Sequence, residues 1–492
     1  MAQKRENIVM FPLMAQGHFI PFLALALKLE QEKGYYITFI TTSLNIKKLR
    51  PSIPPQSFIR LLEIPYDSTS HGLPPNTEST ENLPLPLFIR FLESTPSLKP
   101  AFTKIMSNLF LEENCSRPPL CVISDMFFSW TAKIAHTFGM FHVIFNAGGC
   151  FGMGAYHSTW INLPHVGKKS DDEYFLPGFK NCKILVKELT EEIRAITGPV
   201  PFPQTMFQEW LETDGMLFNT VEEMDLMGLA YYRKQFPCPI WTIGPIVSSF
   251  GSKARAGKSS EAESVSKICA NYLDTKSPSS VLYVAFGSQC TLTESQRENL
   301  ARALESSGVN FIWINRNSSN INQEKEWLPR IQYSKKGLIV QQWAPQMEIL
   351  SHKSIGEFLS HCGWNSVMEA LTNGIPILGW PMGAEQSFNA KMLEEELKVC
   401  VRIMASGVVI SSDIKHEEIV KKIEIIMKET QGKEMRKRAL MVKEMIHNAS
   451  ITTKEGLKGS SVIAIDEFLN AAFCMRKNIF GSPEKLLYAL IA

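Results

Sequence analysis

Residues 343–386 read WAPQMEILSHKSIGEFLSHCGWNSVMEALTNGIPILGWPMGAEQ. It opens on an aromatic-proline turn, enters a strand-like run at 355–359, and passes through the polar turn His361-Cys362-Gly363-Trp364-Asn365-Ser366. A short helix and a second apolar run follow, ending at Glu385-Gln386. The polar side chains gather where strands end. In an open α/β sheet ligands lie there, and the helix that follows a strand offers unpaired N–H groups and a positive dipole end to phosphate. Gly363 lets the backbone approach a ligand, while His361, Asn365 and Ser366 supply donors. Glu369, one turn further on, can accept from ligand hydroxyls. Asn365, Ser366 and Glu369 fit an ordinary helix cap equally well.

Working outward, residues 281–286 (VLYVAF) form a buried-strand run, followed by Gly287-Ser288-Gln289 and a helical pattern at 295–306. Ser288 can donate to a phosphate there. Runs at 311–315 and 337–341 add strands. The chain begins in the same way: a strand at 8–13, helical spacing over 21–32 and a strand at 35–41 make a βαβ opening. The connecting stretch, MAQGHFIP at 14–21, has Gly17 for a tight turn and Pro21 suited to the first helical turn, so His18 projects near a strand's carboxyl end. A lone histidine in such a place is more often structural than catalytic. A histidine base needs a carboxylate to fix its tautomer, and Asp125, ending the run 120–124, is the candidate. Asp125 is equally placed to cap the following helix.

Pro51 to Pro55, Tyr66 to Pro75 and Leu83 to Pro86 are rich in proline and small polar residues, and Leu163 to Pro203 carries many more breakers; these read as loops, where ligand pockets are commonly built. Met126, Phe127, Phe151, Phe202 and Met206 are candidate linings for an apolar ligand. Residues 248–264, nearly free of apolar side chains, read as a linker. Gly251 to Ser259 does not qualify as a P-loop, because five residues separate its glycines and no strand leads in. Amphipathic helices are expected at 414–429, 432–448 and 460–474, with an unassigned tail after Cys474.

With 51 Lys and Arg against 49 Asp and Glu, the net charge gives no electrostatic reason to expect nucleic acid or an anionic membrane as partner. The residues at 1–7 are polar, the apolar run after them is broken by Pro12, Gln16 and Gly17, and no stretch reaches about 18 uninterrupted apolar residues, so neither a leader nor a membrane span is read. Ten cysteines without C-x-x-C spacing suit reduced thiols in the cytoplasm. The N-x-S triplets at Asn114, Asn317 and Asn448 are read as chance matches, and Asp171-Asp172-Glu173 as a solvated acidic run rather than a metal site.

The stretch from Trp343 to Gln386 closely resembles the signature box of plant family-1 UDP-sugar-dependent glycosyltransferases. The G-H-x-x-P at 17–21 and Ser124-Asp125-Met126-Phe127-Phe128 resemble the segments carrying that family's base and its supporting aspartate. The resemblance implies an α/β fold of the GT-B type, two Rossmann-like domains facing each other across a cleft. An acceptor-binding domain would span 1–247, the linker 248–264 and a UDP-sugar-binding domain 265–459, with residues 460–492 supplying a helix that returns to the first domain and a tail. Trp343 would stack on uracil, Gln346 and Glu369 would bind the ribose, and His361, Asn365 and Ser366 the diphosphate, with Ala344 a further donor contact. Gly17, Ser288 and Gly363 complete the donor contacts, and Trp364, Glu385 and Gln386 would touch the sugar. His18 would be the catalytic base and Asp125 its support, in an inverting transfer to a small apolar or phenolic acceptor.

No permanently bound cofactor and no metal are expected, only UDP-sugar as co-substrate, with UDP-glucose first because of Gln386. The family usually has Asp where Glu385 stands, which keeps UDP-galactose, UDP-xylose and UDP-rhamnose open, as well as a glycoside acceptor. A monomer in the cytoplasm is expected. A nicotinamide-dependent oxidoreductase competes less well, since no G-x-G-x-x-G follows Leu13 or Phe286. A non-catalytic sugar-nucleotide binder would need neither His18 nor Asp125.

Overall fold

The computed structural model describes residues 6–81, 83–111, 118–247, 259–316, 336–403 and 414–480. The strands are β1 Asn7–Phe11, β2 Tyr36–Thr41, β3 Ile59–Glu63, β4 Cys121–Asp125, β5 Phe141–Asn146, β6 Glu173–Phe175, β7 Lys183–Leu185, β8 Gly215–Phe218, β9 Ile240–Thr242, β10 Val281–Ala285, β11 Asn310–Ile314, β12 Gly337–Val340, β13 Ile355–Ser360, β14 Ile377–Gly379 and β15 Cys400–Arg402. They form a sheet of order β3-β2-β1-β4-β5-β8-β9, a second of order β12-β11-β10-β13-β14-β15, and the hairpin β6-β7. Pairing within both large sheets is parallel. Helices cover both faces of each sheet, so β4, β5, β10 and β13 are buried along their whole length; β10 reads as an unbroken apolar run instead of an alternating one, while the other three also bury polar side chains, Glu357 of β13 among them.

Strand order reverses direction between β1 and β4 in the first sheet and between β10 and β13 in the second. Phe11 lies opposite Ser124 and Ala285 opposite Ser360, so the turns leaving these strands open side by side. Such switch points leave a crevice beyond the strand ends. They are where the polar turns at Gly17-His18, Asp125, Gly287-Ser288 and His361–Ser366 emerge.

The two halves share apolar packing. The helix Cys150–Asn162 of the first lies against the helix Gln386–Glu395 of the second, within one buried cluster that includes Phe151, Met153, Trp364, Phe388 and Leu393. Glycines permit the approach: a Cβ on Gly152 would fall 1.8 Å from Asn389 Oδ1. Glu188 of the first half pairs with Arg402 at 3.2 Å and with Lys391 at 3.6 Å in the second.

The helix Ser259–Asp274 begins inside the stretch read as a linker. Serine, glutamate and alanine at 259–264 extend an amphipathic segment by more than a turn, a polar composition that suits an exposed helix as well as a loop. The rest of that stretch, residues 248–258 with the rejected P-loop, lies outside the described residues, as do the Asn114 and Asn317 triplets and residues 481–492. The final helix, Ser460–Phe480, runs six residues beyond the expected Cys474 end. It lies against β9 and β5, with Phe468 beside Phe141 and Trp241, Asp466 paired to Lys33 and Arg476 to Glu6. Among the described residues no helix is long and apolar enough to cross a membrane.

Candidate active site

A cleft of about 590 Å³ lies between the carboxyl ends of the two sheets. Its walls are the segments that leave β1 (Gly17, His18), β4 (Met126, Phe127), β5 (Asn146, Gly148), β10 (Gly287, Ser288), β11 (Asn315, Arg316), β12 (Trp343, Ala344) and β13 (His361, Gly363). Gln346, Trp364, Asn365, Ser366, Glu385, Gln386, Phe202 and Met206 also line it.

His18 stands in the first turn of the helix Gln16–Lys33, and its Nδ1 lies 2.7 Å from Asp125 Oδ2. Asp125 is fully buried behind it. The aspartate divides its oxygens: Oδ1 accepts from the backbone N–H of Phe127 at 3.2 Å, so the capping reading and the orienting reading of Asp125 both hold. Burial pulls the His18 imidazole towards the neutral form. The charge of Asp125, its hydrogen bond and the charge of Glu385 outweigh that pull, leaving the ring more basic than the ordinary 6.5.

On the opposite wall, the helix Trp364–Asn373 starts at Gly363 without a side-chain cap. The capping alternative for Asn365, Ser366 and Glu369 therefore fails, and the helix start stands at the cleft as anion sites require. Gly287 and Gly363 make room for the His361 ring, since a Cβ on either would come within 2.6 Å of Nε2. Asn365 Nδ2 donates to the carbonyl of Gly17 at 2.7 Å, and Trp364 Nε1 donates to that of Asn219 at 2.6 Å, so both cross between the halves. Gln346 is held from three sides: Tyr283 OH donates to its Oε1 at 3.2 Å, while its Nε2 donates to Ser366 Oγ at 3.0 Å and Glu369 Oε2 at 2.6 Å. Glu369 thus sits behind Gln346 and is not part of the cleft wall. Gln386 Oε1 accepts from the N–H groups of Met382 and Gly383, which commits its oxygen. Its NH₂ contacts Cys290 Sγ at 3.9 Å and makes no other hydrogen bond among the described residues, which leaves it as the end offered to the cleft. Glu385 accepts from Asn389 at 3.2 Å, and burial holds its carboxyl above the usual range.

Besides Glu369, a second candidate lies off the cleft wall. Phe151 does not line the cleft but packs in the core against Phe179, its N–H donating to Asp225. On the helix Cys150–Asn162 the cleft face carries Met153, Tyr156 and Trp160, spaced three and four apart. Phe151 lies about 160° round from Met153 at roughly 100° per residue. That stripe is legible as helical periodicity, yet sequence reasoning missed it. Phe88, Leu92, Ile193, Ile196 and Val200 were also missed, because they come from loops and short helices with no motif of their own. Arg316 was missed too. Its guanidinium lies 4.3 Å from the centre of the Trp343 ring and donates to the carbonyl of Gly287. The acidic run at 171–173 behaves as solvated charge: Asp171 pairs with Lys187, Glu173 with Lys183, and Asp172 accepts from the N–H of Lys169.

The model of the UDP-glucoronosyl and UDP-glucosyl transferase family matches residues 192–449. UDP-glycosyltransferase 92A1 of Arabidopsis thaliana is 42% identical over 95% of this chain and 97% of its own length. Crocetin glucosyltransferase 3 of Crocus sativus is 39% identical over 87% and 92%. Among solved structures, UGT73P12 of Glycyrrhiza uralensis, complexed with glycyrrhetinic acid 3-O-monoglucuronide, superposes with a TM-score of 0.83 at 24% identity, covering 99% of both chains. A UGT transferase of Siraitia grosvenorii in complex with UDP gives 0.74 at 27% identity, covering 95% of this chain and 99% of its own. The two facing parallel sheets are those of the GT-B fold, and the chain belongs to the plant family-1 UDP-glycosyltransferases, enzymes that move a sugar from a UDP-sugar to a small acceptor.

Proposed function

We propose that this enzyme is an inverting glucosyltransferase in which His18 is the base and Asp125 its support. The observation that carries the reading is the 2.7 Å contact between His18 Nδ1 and a fully buried Asp125 at the edge of the cleft. With Nδ1 engaged, Nε2 is the nitrogen left to take a proton from an acceptor hydroxyl. The acceptor oxygen then bonds to the anomeric carbon as the bond from that carbon to UDP breaks on the opposite face. Asp125 stabilises the imidazolium formed. Charge growing on the departing diphosphate is met by the uncapped start of the helix Trp364–Asn373 and by His361, Asn365, Ser366 and Ser288.

Trp343 offers its ring to uracil, where Arg316 would share or yield the stacking surface, and Gln346 offers its amide to the ribose. Gln386, presenting its NH₂, and Glu385 face the sugar, and glucose is the sugar read from Gln386. The opposite wall, with Met126, Phe127, Phe202, Met206, Met153 and Tyr156, suits an apolar or phenolic acceptor. The reading is tested by incubation with UDP-glucose and a mixed panel of phenolics, terpenoids and glycosides, followed by mass shift and anomeric NMR. A β-linked glucoside is expected. An α-linked product, or no transfer from UDP-glucose while another UDP-sugar serves, would overturn the stereochemistry or the donor. Transfer is expected to persist in excess chelator, and a loss restored by a divalent cation would refute the metal-free arrangement.

A further inference from the structure

Pro21 stands inside the helix Gln16–Lys33, well past its first turn. An α-helical carbonyl accepts from the N–H four residues on, so the partner due to Gly17 is residue 21, and proline has no N–H to give. The Gly17 carbonyl is instead taken by Asn365 Nδ2 at 2.7 Å, 348 residues away and on the other side of the cleft. Gly17 immediately precedes His18, and Asn365 lies in the turn that begins the helix Trp364–Asn373.

We infer that Pro21 is a positioning residue: by withholding the helix's own donor it reserves the Gly17 carbonyl for Asn365, which fixes the turn bearing His18 against the turn that faces the sugar nucleotide. This rests on the reading of His18 as base. Any other residue at 21 supplies an N–H in place, within the same helix, and a local intrahelical bond competes well against one that must close two halves of the molecule. The bond across the cleft must then share its acceptor and weakens, and His18 is held less firmly in register with the donor.

The test is a double-mutant cycle on Pro21→Ala and Asn365→Ala in the full-length enzyme, read as single-turnover rates with saturating UDP-glucose, which remain measurable in slow variants. Pro21→Ala alone is expected to slow transfer about five-fold, the scale of one ordinary hydrogen bond, while UDP affinity stays at the wild-type value. In the Asn365→Ala background the same change is expected to cost nothing further. Losses that multiply would overturn the inference whatever the melting temperatures, because Pro21 would then act through the helix alone. A wild-type rate in Pro21→Ala would also overturn it. If His18→Ala transfers sugar at the wild-type rate, the base assignment fails instead, and the cycle still reports whether Pro21 and Asn365 act as one unit.

Discussion

Gly149 and Trp364 meet face to face across the two halves of the molecule, so closely that a Cβ on the glycine would fall 2.7 Å from the indole ring. The same tryptophan gives its N–H to Asn219, and it begins the helix whose start faces the cleft. Domain packing and the cleft wall therefore share one side chain. Gly149→Ala is expected to destabilise the fold by about 1–3 kcal/mol and to weaken UDP binding, since the displaced ring carries Asn365 with it. Thermal unfolding and UDP titration check this, and a variant with unchanged UDP affinity would show the ring can move without disturbing the turn.

His18→Ala is expected to lower kcat by about 10²- to 10⁴-fold with UDP affinity retained, the usual contribution of a positioned base. Steady-state kinetics with UDP titration separates the two quantities. Retained turnover would remove His18 from the mechanism.

The pH profile should follow the raised basicity of His18. A base acts when deprotonated, so a pKa lifted above 6.5 places the acidic limb of kcat/KM above 6.5. Asp125→Asn removes the main partner that lifts it and leaves burial, which pulls it down, so the limb should move to lower pH while the plateau falls. An unmoved limb in that variant would show that another group titrates.

Glu357, fully buried on β13, is paired with Arg436 of the helix Thr430–Ser450. Burial pushes its carboxyl up to about 8, against the attraction of Arg436. Above the ordinary 4.5 the folded state holds this proton more tightly than the unfolded chain does, so its contribution to stability declines as pH rises from about 4.5 to about 8. Arg436→Ala should cost about 3–5 kcal/mol above about pH 8, where Glu357 would be left charged and unpaired, and less at neutral and acidic pH, where it already holds its proton. Replacing both with methionine should recover most of the loss, as read by denaturant unfolding at two pH values.

Phe151→Ala should cost about 3–5 kcal/mol of stability and leave acceptor preference unchanged, because the ring fills the core. Tyr156→Ala, on the cleft face of the same helix, should change acceptor KM with a smaller loss of stability. Acceptor panels run on both variants distinguish a wall residue from a core one.

Much of this site is legible in the amino-acid sequence. The turns at Gly17-His18, Asp125, Ser288 and His361–Ser366 each follow a run of apolar residues, and strand ends in parallel sheets are where ligands sit. Side-chain direction is not legible there. Phe151 and Met153 are two residues apart with the same apolar character, and only the packing of Cys150–Asn162 on its neighbours says which faces the cleft. Glu369 points to the ligand by its spacing from Ser366, yet its carboxylate is bound to Gln346, whose place depends on a different turn.

By itself, then, the sequence determined the two α/β halves, the turns that carry the polar groups and the chemistry those groups can perform, because strand runs, helix periods and turn residues are local properties of the chain. Only the tertiary structure decided that Asp125 serves a cap and a histidine with separate oxygens, that Arg316 covers Trp343, and that Pro21 leaves Gly17 open to Asn365. His18 meets Asp125 across 107 residues and Gly17 meets Asn365 across 348. No local pattern encodes a partner that arrives only when distant turns are brought to one cleft.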